Sequence, residues 1–298
     1  MRPAEALTRI QEALEWAADV LKPFESGSAR ARLKDDDELV TAADHAVNKV
    51  LHSILRRKGE GWLSKESADD GSRLNNDRVW IVDPIGGTRE FIAGVPEYCV
   101  SIAFVQQGVA VAGGIMNPAT HETFLGAAGA GVTYMGEDVP VAAAASLAGA
   151  TVLASRREVM RGEWEAFRNS GFAIRPLGSV AYKLARVAAG LADATWTLTP
   201  KHEWDVAAGV ALMEASGGFV GTLDFRRPMF NRADTLLPGL AASRRNLEGE
   251  IVKLLRPRIA PNIATPASVA SPGARAFEDT VRTVIQECLA VGRRSRQD

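Results

Sequence analysis

Trp80-Ile81-Val82-Asp83-Pro84-Ile85-Gly86-Gly87-Thr88-Arg89-Glu90-Phe91 is the stretch on which the fold turns. Three residues of strand type carry the chain into an acid, the Pro-Ile-Gly-Gly run predicts a tight turn, and Thr88 onward has the composition of a helix start. A carboxylate at a strand end, beside free N–H groups at a helix N-terminus, can hold a cation and a phosphate together. The same residues serve equally as turn and cap groups, and on this stretch alone both readings stand.

On the C-terminal side, Tyr98 to Val105 and Val109 to Met116 are β-rich runs joined by Gln106-Gln107-Gly108, which predicts an antiparallel hairpin. On the N-terminal side, apolar residues recur at helical spacing from Ala4 to Leu21 (Ala6, Ile10, Ala13, Leu14, Ala17) and again from Thr41 to Leu55 (Val47, Val50, Leu51, Ile54). Two amphipathic helices therefore open the chain. The second half alternates strands (Thr151 to Ala154, Ala194 to Leu198, Phe219 to Thr222) with helices (Val180 to Leu191, Val206 to Ala215, Leu247 to Leu255), an α/β pattern. An Ala- and Gly-rich gap from Pro140 to Gly149 divides an α+β half, residues 1–145, from an α/β half, residues 146–258. Residues 259–298 read as an appendage. Pro261 to Gly273 has the composition of an extended linker, and Phe277, Val281, Val284 and Cys288 then mark one apolar helical face that must dock on a neighbouring surface or a second subunit.

Composition excludes several classes. With 35 basic and 36 acidic residues the formal charge is -1, so no overall field draws the molecule to nucleic acid or to an anionic membrane. Cys99 and Cys288, far apart and without a paired motif, argue against a disulfide framework and a structural zinc site. No apolar run approaches the ~20 residues needed to span a bilayer, and the first residues lack a signal-peptide core. The expectation is a cytoplasmic protein. His45, His52, His121 and His202 lack paired metal spacing and read as surface or packing residues, and the Arg293-Arg294-Ser295-Arg296 end reads as a solvated tail.

The second informative segment is Glu203-Trp204-Asp205-Val206-Ala207-Ala208-Gly209, in which Asp205 opens an Ala-rich helix. Alone it reads as an N-terminal helix acid. Together, however, the two segments resemble D-P-[IL]-D-G-T and W-D-x-A-A-G, the paired signatures of the inositol monophosphatase superfamily, in the same order and at similar spacing. Leu39-Val40-Thr41-Ala42-Ala43-Asp44 resembles its V-T-x-x-D segment, Leu63-Ser64-Lys65-Glu66-Ser67 its [SG]-E-E-S segment, and Gly178-Ser179 with Lys183 its G-S-x-x-x-K stretch. The match runs from about residue 5 to 256. Thr88 to Ile92 followed by Pro96-Glu97-Tyr98 is nearer the 3'(2'),5'-bisphosphate nucleotidase branch than the inositol branch.

The resemblance implies a layered α-β-α-β-α sandwich, α+β then α/β, with a ligand cleft between the halves. It also implies Mg2+-dependent hydrolysis of a small phosphorylated metabolite, such as an inositol phosphate or 3'-phosphoadenosine 5'-phosphate, by a homodimer. Position by position it makes Asp83, the Ile85 carbonyl and Asp205 metal ligands, Asp44 and Thr88 orienting groups for the attacking water, and Gly87, Thr88, Ser179 and Lys183 the phosphate-binding set. Two ligand positions depart from the pattern: Lys65 stands where the first Glu belongs and Gly86 where the second Asp belongs. An ammonium offers Mg2+ no lone pair and repels it, so Mg2+ binding is expected to be weak or absent. Lys65 can instead occupy the cation's place beside Asp83 or Asp205, and a one-residue shift would let Glu66 supply the ligand. Three outcomes follow: a phosphatase fold whose activity is lost or impaired but whose phosphate cleft remains, an active phosphatase of unusual metal arrangement, or different chemistry with Lys65 as the catalytic group.

Overall fold

The computed structural model describes residues 1–24, 31–33, 39–140 and 146–263. The chain divides into two compact units, Met1–Arg256 and Pro257–Asp298, and the architecture below is that of the first.

Helix α1 (Pro3–Leu21) begins on a proline, whose missing N–H costs nothing at that position. A short ribbon, β1 (Ala31–Leu33) with β2 (Leu39–Thr41), leads into α2 (Ala42–Leu55). The chain then builds a seven-stranded sheet in sequential order: β3 (Gly61–Ser64), β4 (Arg78–Gly86), β5 (Cys99–Gln106), β6 (Val109–Asn117), β7 (Glu122–Ala127), β8 (Gly131–Tyr134) and β9 (Glu137–Asp138). Only β3 and β4 are parallel. Helix α3 (Thr88–Ala93) lies between β4 and β5. The predicted hairpin is present, and its turn residues Gln107 and Gly108 both have positive φ, 51° and 78°, as a two-residue hairpin turn requires.

The second sheet runs β11 (Ala173–Leu177), β10 (Thr151–Ser155), β12 (Ala194–Thr197), β16 (Leu240–Ser243), β14 (Phe219–Thr222). Its first three strands are parallel and β16 is antiparallel to both neighbours. Helices α4 (Arg156–Met160), α5 (Val180–Ala188), α6 (Glu203–Ala215) and α7 (Glu248–Ile263) connect and flank these strands, and β13 (Lys201–His202) pairs with β15 (Leu236–Leu237) just before α6.

Strand β4 shows how the layers form. Val79 and Ile81 face one cluster, shared with α5 and α6, while Trp80 and Val82 face another, shared with α1 and α2, because successive strand residues point to opposite faces. On β6, a Cβ at Gly113 would come within 2.5 Å of the Ala208 carbonyl on α6, and one at Gly114 within 2.3 Å of Ile10 Cγ2 on α1. Both positions must be glycine for helices to sit that close on both faces. Helix α6 is buried nearly all round, from Val206 through Met213, as a helix between two sheets must be. Beyond the second sheet, Trp164, Phe167 and Phe172 surround Trp196 of β12 at ring separations of 4.8, 5.2 and 5.6 Å. Helix, sheet, helix, sheet and a closing helical and aromatic layer give the sandwich expected.

The helices over the first sheet are tied down by charge. Arg9 on α1 forms a two-pronged pair with Glu60, 2.9 Å at each prong, and also donates to the Leu55 carbonyl at the end of α2. Trp80 Nε1 donates to the same carboxylate at 2.9 Å, and the guanidinium lies 4.8 Å from the Trp80 ring centre. The pair is buried, with its donors and acceptors nearly all used.

Two expectations need correction. The strands β1, β2, β3, β7, β8, β9, β11, β13, β15 and β16 go beyond those predicted, and several are short or rich in Gly and Ala, with weak periodicity. The extended linker expected from Pro261 does not begin there: α7 continues to Ile263. A proline fits helical φ at the cost of a hydrogen bond and crowding against the preceding turn, and within the first unit Ile251 and Leu255 of this helix are buried. The remainder of that linker, the boundary residues 141–145, the apolar face at Phe277, Val281, Val284 and Cys288, and the terminal arginines lie outside the described residues.

Replacing Arg9 with Ala is expected to cost about 3–5 kcal/mol, the usual result of stranding one partner of a buried pair, measured by urea unfolding. A loss under about 1 kcal/mol would put the pair in the class of surface ion pairs.

Candidate functional site

Strand β4 delivers Asp83 through a break in register with β5 between Asp83 and Gly86, and such bulges re-aim side chains. Asp83 is buried, and its Oδ1 has no hydrogen-bond partner among the described residues. Its Oδ2 lies 2.8 Å from where a Cβ at Gly86 would be. The carboxylate has taken the room a side chain at 86 would need.

The end of β3 brings Lys65 to the same place, with its backbone N–H on the Val82 carbonyl at 3.3 Å. Lys65 Nζ donates to Thr88 Oγ1 at 2.8 Å, and Thr88 Oγ1 donates to the Ile85 carbonyl at 2.9 Å. A hydroxyl has one proton, and that of Thr88 is committed to Ile85. Glu66 is buried next to Lys65, its Oε1 3.9 Å from Nζ, and Lys65 itself keeps only 12% of its side chain exposed. The Ser64 hydroxyl donates to Asn48 Oδ1 at 2.7 Å and Asn48 Nδ2 to Ser67 Oγ at 3.0 Å, so this turn is pinned on α2. Asp44, in the first turn of α2, is fully buried. Asp205 accepts the His202 N–H at 2.9 Å, the helix-capping role its position suggested.

Electrostatics bind these residues into one unit. Burial alone would push the Lys65 ammonium down, but Asp83, Asp44, Glu66 and Asp205, in that order, outweigh it and hold Lys65 above the usual lysine range. Burial pushes Asp83 well up, Lys65 opposes the shift, and the other carboxylates add to it. Asp205 is also pushed up by burial, opposed by the His202 N–H, Lys65 and Lys201.

A cavity of about 390 Å³ opens over this unit, and Lys65, Gly87, Thr88, Ser179, Lys183 and Asp205 all line it. Asp44, Asp83, Ile85 and Glu66 are buried outside the lining. Ser179 caps α5 with φ of 46°, a strained value for a non-glycine residue. Lys183 is almost wholly buried, with Nζ 3.4 Å from the Leu177 carbonyl. It forms no ion pair among the described residues, and burial pushes it down to about 8. Cys99, beside Ser179, is pushed up to about 12 by burial and is no nucleophile. His202 stacks on Trp204 at 4.4 Å, bonds to Thr235 and also lines the cavity.

The structure adds lining residues that the motifs did not point to: Arg89 from α3, Arg156, Arg157 and Arg161 from α4 and its end, and Lys201. The signals available were Arg89, next to Thr88 in the opening stretch, and the basic pair Arg156-Arg157 one residue beyond a predicted strand. Among the described residues, no three His, Cys, Asp or Glu side chains gather as a set that could hold a metal ion.

A model of the inositol monophosphatase family matches residues 4–260. The chain belongs to the inositol monophosphatase family. It is 33% identical over 240 residues, 76% of this chain and 88% of the relative, to a protein named inositol-1-monophosphatase from Mesorhizobium japonicum. Among solved structures it is similar to an inositol monophosphatase from Thermotoga maritima, with a TM-score of 0.72 and 25% identity over 84% of this chain and 96% of that one. It is also similar to CysQ from Bacteroides thetaiotaomicron, a bacterial member of the inositol monophosphatase family, with a TM-score of 0.66 and 25% identity over 82% and 98% of the two chains. The superfamily expected from the motifs is therefore the right one, and the scaffold is that of a phosphatase family.

Replacing Lys65 with Met is expected to destabilise this family member by about 3 kcal/mol near pH 8, since carboxylates held together by one ammonium lose it. Asp83 has a folded pKa above its unfolded one, so its contribution is present at low pH and is lost as pH rises through the folded value. The loss should therefore shrink towards about pH 5. Urea unfolding at both values is the check, and an equal loss at both would show that Lys65 does not balance the carboxylates.

Proposed function

We propose that this member of the inositol monophosphatase family binds a small phosphorylated metabolite with fixed cations in place of a metal cluster, its phosphomonoesterase activity lost or strongly impaired. The observation that carries this reading is the Lys65 ammonium, bonded to Thr88 at 2.8 Å and placed in the field of Asp83, Asp44, Glu66 and Asp205.

Mg2+ requires about six oxygen ligands in near-octahedral array. Lys65 supplies none and Gly86 has no side chain, which leaves Asp83 and Asp205 of the family's four carboxylate positions, Asp205 with one oxygen accepting the His202 N–H. The residues present therefore do not suit the family's two-metal centre, and the reading routes no step through a metal. Thr88, whose only proton goes to Ile85, has none left to donate to an attacking water. What remains suits binding. An ammonium has three protons, of which Lys65 directs one at Thr88. Its others, with the Ser179 hydroxyl and the Lys183 ammonium, are available to phosphate oxygens in the cavity. The same reading keeps the homodimer implied by the resemblance, for which light scattering is the check, and the cytoplasmic location expected from composition.

The test is phosphate release from inositol 1-phosphate and 3'-phosphoadenosine 5'-phosphate, with and without Mg2+, for the native chain and the Lys65→Glu, Gly86→Asp double variant. The native chain is expected to release phosphate at least ~100-fold more slowly than the variant, as the loss of charge stabilisation in the transition state implies. Calorimetry on the native chain should show Mg2+ binding weaker than millimolar. Brisk Mg2+-dependent release by the native chain would overturn the reading.

A further inference from the structure

Lys183 is the most deeply buried of the cations that line the cavity, with 2% of its surface exposed. Lys65 is balanced by carboxylates and bonded to Thr88. Lys183 has no ion pair among the described residues, and its Nζ reaches only the Leu177 carbonyl, at 3.4 Å, beyond the ordinary range for such a bond. It stands near the start of α5, and its side chain runs back to Leu177, ahead of the helix. The nitrogen therefore sits at the positive end of the helix dipole, where a cation is disfavoured. Its helix neighbours Ala181, Leu184, Ala185 and Val187 are buried and apolar. Such surroundings favour a free amine over an ammonium. Burial holds Lys183 down at about 8 against the charge of Glu158, with Lys201 adding to the shift and Glu90 and Glu97 opposing it. Roughly a tenth of it is then unprotonated at pH 7, and a desolvated, unprotonated lysine is a nucleophile towards carbonyl groups.

Glu90 of α3 lies against the turn that starts α5. A Cβ at Gly178 would come within 2.7 Å of Glu90 Cγ and 2.9 Å of its Cδ, so the absence of a side chain at 178 is what lets Glu90 lie there. Glu90 also lines the cavity. Among the described residues it forms no ion pair and no hydrogen bond to another side chain. Burial pushes its carboxyl up, opposed by its own N–H and by Lys183, which favours a form that carries a proton. Glu158 also acts on the Lys183 amine, but its oxygens already accept from Thr197, from Thr199 at 2.9 Å and from Trp164 at 3.2 Å. Glu90 is thus the carboxyl group free to pass a proton to and from a ligand beside Lys183.

As an ammonium, Lys183 can join Lys65 and Ser179 on a phosphate; as an amine it can react. Resting on the phosphate-binding reading above, we propose that Lys183 condenses reversibly with the carbonyl group of a phosphorylated aldehyde or ketone bound in the cavity, forming an imine, with Glu90 as the proton carrier. The Nζ lone pair attacks the carbonyl carbon, the π pair of the C=O bond moves to oxygen, and Glu90 gives that oxygen its proton. The nitrogen of the resulting carbinolamine returns a proton to the Glu90 carboxylate. Glu90 then protonates the hydroxyl, the C–O bond breaks and water leaves, and the nitrogen lone pair completes the C=N bond. The product is an iminium beside an ionised Glu90, and nothing is oxidised or reduced. A volume of about 390 Å³ has room for a small ester that reaches from Lys65 to Lys183.

The experiment is reductive trapping of the full chain with glycolaldehyde phosphate and sodium cyanoborohydride, read by intact-mass and peptide mass spectrometry. A single adduct is expected, heavier than the chain by the ligand's mass less one oxygen atom, and mapped to Lys183. Glycolaldehyde without the phosphate should label that residue about tenfold or more slowly, because the phosphate contacts hold the carbonyl near the amine, and excess inorganic phosphate should suppress the labelling. Lys183→Met should lose the adduct, and Glu90→Gln should form it about tenfold or more slowly; an unchanged rate in the latter removes Glu90 from the assignment. Should Lys183→Met fail to fold, the peptide map of the native chain still decides. Labelling spread over many lysines at similar rates, or centred on Lys65 or Lys201, overturns the proposal. Selective labelling of Lys183 that ignores both the ligand's phosphate and added phosphate overturns the phosphorylated ligand. If calorimetry shows inorganic phosphate binding but no adduct forms, the imine is wrong while the phosphate-binding reading stands. If phosphate does not bind and no adduct forms, both are wrong.

Discussion

One buried ammonium organises the cleft. Lys65 reaches from the end of β3 to the turn after β4, and its bond to Thr88, which in turn bonds to the Ile85 carbonyl, ties the two segments together. Around it stand carboxylates that could not remain charged so close to one another in a buried wall without a cation. A unit charge at about 4 Å is worth about 4 kcal/mol at the effective dielectric of a protein surface, comparable to the desolvation each buried charge suffers. The balance is therefore close, and the ammonium is one of its terms beside the upward shifts of Asp83 and Asp205.

The scaffold makes such a wall affordable. Helix α6 is sandwiched between two sheets, with its first turn at the cleft and its body in the core, so Asp205 sits on a rigid element. On the other side of the first sheet, Arg9 and Glu60 fasten α1 to the segment before β3, the strand that carries Lys65 at its end. The contacts between β6 glycines and the helices on both faces leave little room for the layers to slide. Charge in the cleft and close packing beneath it thus support each other: the core fixes the strand ends, and the strand ends place the charges.

Much of this was legible in the sequence. The Trp80–Phe91 stretch, the hairpin at Gln107-Gly108 and the opening helices follow from periodicity and turn chemistry, which are local. The motif residues Lys65, Thr88, Ser179, Lys183 and Asp205 do share one cavity. What was not legible is what depends on tertiary placement. Arg157 follows a strand in a segment without a motif, and nothing in its local sequence says which way its guanidinium points. The Arg9–Glu60 pair joins residues 51 apart, and an arginine on an otherwise apolar helical face reads as surface until its partner is located. Strands such as Ala173–Leu177, which contains a proline at an edge, give too weak an alternation to be read.

The proposed exchange of a metal for a lysine would also change what the cleft can do energetically. A metal-bound water has its pKa lowered towards neutrality, so the ion both holds the phosphate and generates the nucleophile. An ammonium supplies charge and hydrogen bonds but no coordinated water, so whatever it contributes is felt by the bound phosphate ester before any bond breaks. Binding that is equally strong in the ground and transition states does not accelerate chemistry. On the reading proposed above, fixed cations around Lys65 and Lys183 would favour retention of an intact phosphorylated ligand over its turnover, and the affinity they confer would respond to ionic strength rather than to chelators.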